Sequence, residues 1–113
     1  MDKITRYQQL TKQYLTEFAN LMNSQPVPNL ETVLSFDDEH QQYLLLKVGW
    51  TDQHRTRHIL LHVALKNGKI WIEEDWTEEG IASFFLEQGV PYDDIVLGFQ
   101  PPEMRPYTKF AVA

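Results

Sequence analysis

Apolar and polar positions alternate most regularly between Gln41 and Trp76, and this stretch predicts three consecutive antiparallel strands. Asn67-Gly68 separates two alternating runs and has the chemistry of a two-residue hairpin turn with positive φ at both central positions. Pairing outward from that turn sets Leu65 against Ile70, Ala64 against Trp71, Val63 against Ile72 and His62 against Glu73. Thr51-Asp52-Gln53-His54 forms a second turn. With Asp52-Gln53 at its tip, Leu46 falls opposite Ile59 and Leu44 opposite Leu61. One sheet face then collects Leu44, Leu46, Val48, Ile59, Leu61, Val63, Leu65, Ile70 and Ile72, with Arg57 and Glu74 at its ends, and is the expected core face. The other collects Tyr43, Leu45, Lys47, His58, Leu60, His62, Ala64, Trp71 and Glu73.

Outside this stretch the period changes. Ile4, Tyr7, Leu10, Tyr14, Leu15, Phe18, Leu21 and Met22 recur at three- and four-residue intervals, which predicts a helix over about Lys3–Asn23. Asp2 is placed to cap it, and Pro26 and Pro28 end it. Leu30–Asp37 alternates and reads as a first strand, so that four strands form a meander. After Trp76, Asp75 and Glu78 have the spacing of a capping box for a second helix. Ile81, Phe84, Phe85 and Gln88 share its face, and Gly89 before Pro91 stops it. A short helical turn follows at Pro91–Ile95. Three prolines forbid regular structure over Pro101–Pro106, yet the chain finishes on Phe110-Ala111-Val112-Ala113. An apolar ending of this kind is expected to dock on the body or on a second subunit. The fold class predicted is α+β: an N-terminal helix, a four-stranded antiparallel meander sheet, a C-terminal helix and an ordered irregular tail, in one domain over 1–113.

Composition narrows the chemistry. A chain of 113 residues holds one core without staples, and the absence of cysteine excludes disulfides, thiolate metal sites and thiol nucleophiles. No apolar run reaches the roughly 20 residues that span a bilayer, and the polar start MDKITRYQQL lacks the centre of a signal peptide, so a cytoplasmic protein with no membrane contact is expected. The net charge of −6 argues against an autonomous DNA binder, whose affinity comes from lysines and arginines that displace counterions.

His54, His58 and His62 stand at a strict four-residue spacing that would gather three imidazoles on a helix. On a strand, residues four apart are separated by roughly 13 Å, too far to share one ion. No metal and no cofactor are therefore expected. His62 opposite Glu73 is more readily a cross-strand pair than a catalytic one, and with no nucleophile elbow or phosphate loop the chain reads as a non-enzyme. The patch of Tyr43, Leu45, Leu60 and Trp71, rimmed by Lys47, His58, His62 and Glu73, has the make-up of an interface core. It is the expected partner or dimer surface, and a homodimer is the expected state. Arg55, Arg57 and Arg105 are the alternative, a local nucleic-acid patch.

Val48-Gly49-Trp50, Gly68-Lys69-Ile70-Trp71-Ile72-Glu73-Glu74-Asp75, Thr77-Glu78-Glu79-Gly80-Ile81-Ala82, Ile95-Val96-Leu97-Gly98-Phe99 and the ending Arg105–Ala113 together resemble the XisI family, over essentially the whole chain. These are small cyanobacterial proteins called excision-controlling factors of the fdxN element. The resemblance implies an α+β fold and a role in programmed DNA excision beside a recombinase and a companion, XisH. It carries over no catalytic or ligand residues. The acidic balance favours action through protein contacts, with an XisH-like companion as the leading partner and Glu73, Glu74, Asp75, Glu78 and Glu79 facing a basic patch on it.

Overall fold

The computed structural model describes residues 2–113. Helix α1 (Lys3–Asn23) opens where the sequence places it. The Asp2 carboxylate accepts from the Thr5 N–H at 2.8 Å, and this bond holds the Asp2 carboxyl below its ordinary pKa. Tyr7, Leu10, Thr11, Leu15 and Ala19 form its buried stripe, and the Thr11 hydroxyl donates to the Tyr7 carbonyl one turn back. Strands β1 (Leu30–Asp37), β2 (Gln42–Thr51), β3 (His54–Lys66) and β4 (Lys69–Asp75) follow as an antiparallel meander. Asn67 and Gly68 have φ of 53° and 76°, the left-handed pair that the Asn-Gly turn supplies.

The sheet goes beyond the predicted four antiparallel strands. Helix α2 (Ile81–Glu87) carries the chain back so that β5 (Ile95–Leu97) adds beside β4 in parallel, giving a mixed sheet in the order β1-β2-β3-β4-β5. A parallel neighbour needs a crossover connection, which the segment between Asp75 and Ile95 provides. Three residues of strand beside a tail rich in proline leave too short an apolar run to be distinguished from loop by period.

Two bulges correct the predicted registers. The pairs nearest the turns stand as predicted: Leu46 with Ile59, Leu65 with Ile70, Ala64 with Trp71 and Val63 with Ile72. Between Leu45 and Leu46 the ladder shifts, because Leu60 is an extra residue on β3, so Leu45 meets Leu61 and Leu44 meets His62 rather than Leu61. A second shift makes Glu73 the extra residue on β4, and His62 pairs with Glu74 rather than Glu73. Because side chains alternate with a period of two, the first shift exchanges the faces of β2 relative to the predicted arrangement. Tyr43 and Leu45, placed by the sequence on the outer face, lie in the core at 0% exposure beside Leu61, Val63, Leu65, Ile70 and Ile72. Leu44, Leu46, Val48 and Ile59, predicted as core, face outward and are half-buried.

Both helices pack on the inner face, where Leu15, Ile81 and Phe85 close the core. The Asp75 carboxylate organises the entry to α2: it accepts from the Thr77 N–H at 2.8 Å, from the Thr77 hydroxyl, and from the Ile81 N–H at 2.8 Å. The cap is thus supplied by Asp75, but from six residues ahead of the helix. Glu78 and Glu79 precede α2 instead of forming its first turn. No helix among the described residues is long and apolar enough to cross a membrane.

Candidate functional site

The outer face of the sheet divides into two fields. Toward β5, the row Ala64, Trp71 and Val96 crosses neighbouring strands, and Ala64 and Val96 are fully buried there. The C-terminal tail is what covers this side. Ala111 bridges to Val96, and its N–H donates to the Ile95 carbonyl at 2.9 Å. Arg105 donates to the carbonyls of Gln100, Gly98 and Val112 and lays its guanidinium over the Trp71 ring, 5.3 Å from the centroid. Lys66 lies over the same ring, and Lys69 Nζ donates to the Ala113 carbonyl at 2.6 Å. The apolar ending therefore docks on the body. Gly98 serves this packing too: a Cβ there would stand 2.5 Å from Glu73 Oε1, so glycine leaves the room that the bulged Glu73 side chain occupies.

Toward β1 the face is open. Val33, Leu44, Leu46, Val48 and Ile59 form an apolar field with no helix over it, ending at Trp50, which is 50% exposed. Arg55 lies over the Trp50 ring at 5.4 Å from the centroid, and its cross-strand neighbour pattern brings Arg57 beside Val48.

None of the four residues predicted as an interface belongs to this open field. Tyr43 and Leu45 belong to the core, Leu60 is the bulge residue packed partly against it, and Trp71 sits beneath Arg105. The Tyr43 hydroxyl donates to Asp38 Oδ1 at 2.8 Å, and burial followed by that bond pushes its pKa well above the usual tyrosine value. The three predicted arginines do not meet. Arg55 and Arg57 stand at the far end of β3, whereas Arg105 is committed to Trp71, which pairs with Ala64, seven residues and roughly 23 Å along the strand from Arg57. The triple leucine Leu44-Leu45-Leu46 hid the open field, because either choice of face yields an apolar row. The signal available was Trp50 beside Arg55, an aromatic–cation pair typical of a wet surface.

The acidic connection after β4 is a second surface. Trp76 is 66% exposed and donates from its indole N–H to Glu74 at 2.7 Å. On one side lies a cleft of about 470 Å³ lined by Tyr14, Glu17, Phe18, Leu21, Thr77, Glu78 and Glu79. On the other lies one of about 460 Å³ lined by Glu73, Glu74, Asp75, Trp76 and Phe99. Burial raises the Tyr14 hydroxyl's pKa. His54, His58 and His62 run along β3, with His62 bonded to Gln42 at 2.8 Å, and among the described residues no group of three His, Asp or Glu has the arrangement to hold a metal ion.

Solved structures share this arrangement. An XisI-like protein from Anabaena variabilis ATCC 29413 is 35% identical, with a TM-score of 0.91 over 97% of this chain and 99% of that one. The fdxN element excision controlling factor XisI from the same organism is 39% identical, with a TM-score of 0.88 over 99% of this chain and 100% of that one. No curated protein sequence matches the chain. The family model described as XisI protein matches residues 1–112, and the chain belongs to that family.

Proposed function

We propose that the protein is a non-catalytic accessory factor of programmed DNA excision that acts through protein contacts, pairing with itself and docking on an XisH-like companion. The excision role rests on kinship with the fdxN element excision controlling factor. The contact role rests on one observation: among the described residues, no layer lies above the apolar field of Val33, Leu44, Leu46, Val48 and Ile59. Contiguous apolar surface rimmed by polar residues is costly to leave in water and is the usual core of a protein interface. The carboxylates flanking Trp76 add a negative rim suited to a basic partner, and an exposed aromatic at its centre is a common anchor.

Co-expression with the XisH-like companion and purification through a tag on the companion tests this reading. The wild-type chain co-purifies, Leu46→Glu loses capture without loss of fold, and a Glu78→Lys/Glu79→Lys pair weakens it in a salt-dependent way. Absence of co-purification of the wild-type chain overturns the companion part.

Trp50 with Arg55 and Arg57 favours a second reading, in which this end of β3 stacks on single-stranded nucleic acid. A gel-shift titration against salt decides it: a shift with a steep salt slope, abolished in Arg55→Ala/Arg57→Ala, supports nucleic-acid binding, and no shift at physiological salt removes it.

A further inference from the structure

We infer that β1 is the self-association edge, and that two copies join antiparallel along Leu30–Asp37, with Val33 on the two-fold axis, to make one continuous sheet. The inference rests on the self-pairing proposed above and assigns it a place.

The two edges of the sheet are treated differently. At one edge β5 is three residues long and Ala111 bridges over it. At the other, β1 runs for eight residues, pairs with β2, and contains no bulge, proline or lysine; its two charges, Glu31 and Asp37, sit at residues whose backbone groups are spent on β2. Its backbone polarity can be read from two bonds. The Trp50 N–H donates to the Asn29 carbonyl, and the Leu65 N–H donates to the Gln41 carbonyl, so even-numbered residues of β2 bond toward β1 and odd-numbered ones toward β3. By the alternation of an antiparallel ladder, Glu31, Val33, Ser35 and Asp37 spend their N–H and C=O groups on β2. Those of Thr32, Leu34 and Phe36 point away from the sheet. Phe36 is 36% exposed on this margin.

A second copy of β1 satisfies these groups with its own. In the Val33-centred register, Thr32 and Leu34 exchange backbone bonds with Leu34 and Thr32 of the second copy, Leu30 meets Phe36, and Glu31 meets Ser35. Shifting the centre to Leu34 sets Glu31 against Asp37 on both sides of the axis, and like charges directly opposite are destabilising. Charge therefore selects the Val33 register, and an isologous contact of this kind closes as a dimer without further growth.

The chain has no cysteine, so single-cysteine variants report the contact cleanly. Val33 would face itself across a pair of the non-hydrogen-bonded kind, with Cα atoms about 4.5 Å apart, within disulfide reach. Under mild oxidation Val33→Cys is expected to run almost entirely as a covalent dimer, and Leu46→Cys, on the open face, to stay uncrosslinked. Thr32→Pro removes one outward N–H and no β1–β2 bond, so a folded protein with at least tenfold weaker dimerisation by sedimentation is expected. A dimeric mass with no Val33→Cys crosslink, or with Leu46→Cys crosslinked instead, overturns the edge assignment while self-pairing stands. A monomeric wild-type mass at tens of micromolar overturns both. If Thr32→Pro does not fold, the cysteine pair alone still decides.

Discussion

Leu45 and Leu46 are chemically identical neighbours in β2, yet one is fully enclosed beneath the helices and the other borders solvent. The inner and outer faces differ little in composition near this point. What separates them is the cover: α1 and α2 lie on one side, and among the described residues only the tail reaches part of the other. The two faces therefore divide the work, one holding the fold together and the other left free for contact.

The largest expected effect tests that division directly. Leu45→Ala should destabilise the protein by about 2–5 kcal/mol through lost burial and a residual cavity. Leu46→Ala in the monomer should cost less than about 1 kcal/mol. Urea denaturation of both variants measures this, and equal costs would break the assignment of faces. Gly49→Ala comes next. A Cβ there would lie 1.9 Å from the Asn29 carbonyl oxygen at a φ of 151°, so a loss of about 1–3 kcal/mol is expected, with altered chemical shifts concentrated around Asn29 and Leu30. Asp75→Ala removes the cap that seats α2 on the inner face and should cost about 1–2 kcal/mol, visible as faster amide exchange at Thr77 and Ile81.

On the outer face, Arg105→Ala should leave global stability within about 1 kcal/mol but release the tail. Faster exchange at Ala111 and a shifted Trp71 emission would show it. The smallest effect near neutrality belongs to Tyr7, buried in the inner layer with its hydroxyl donating to Asp94. Burial, then that hydrogen bond, pushes its pKa from 10.0 up to about 12. The folded state therefore keeps a proton that the unfolded chain gives up, and stability should be intact below pH 10 and decline as pH rises toward 12. Tyr7→Phe should reduce that alkaline decline in thermal melts, leaving the part that Tyr43 and Tyr14, whose pKa values are also raised, contribute.

Much of this architecture was readable from the residues. Period and capping gave α1 with its Asp2 cap, β1 to its end residues, and both hairpin turns, because each is fixed by local chemistry. Bulges are not local in that sense. Whether Leu60 is counted in the ladder depends on how the sheet must curve under α1, and Leu44-Leu45-Leu46 offers no polar residue to reveal a slip. The predicted interface failed at Tyr43 and Leu45 for that single reason. The fifth strand was hidden by its length, and the bulged Glu73 by lying in an acidic run that reads as solvated. The docked tail was legible, since an apolar ending needs somewhere to go, although its fastening to Trp71 by Arg105 was not.

Leu60 acts on the sheet as a single inserted letter acts on a reading frame. Removing it would make the ladder regular and leave Leu46 opposite Ile59 and Leu45 opposite Leu61, so both segments of β3 would keep the faces they have. The insertion itself is what lets Ile59 face outward while Leu61, two positions on, faces the core.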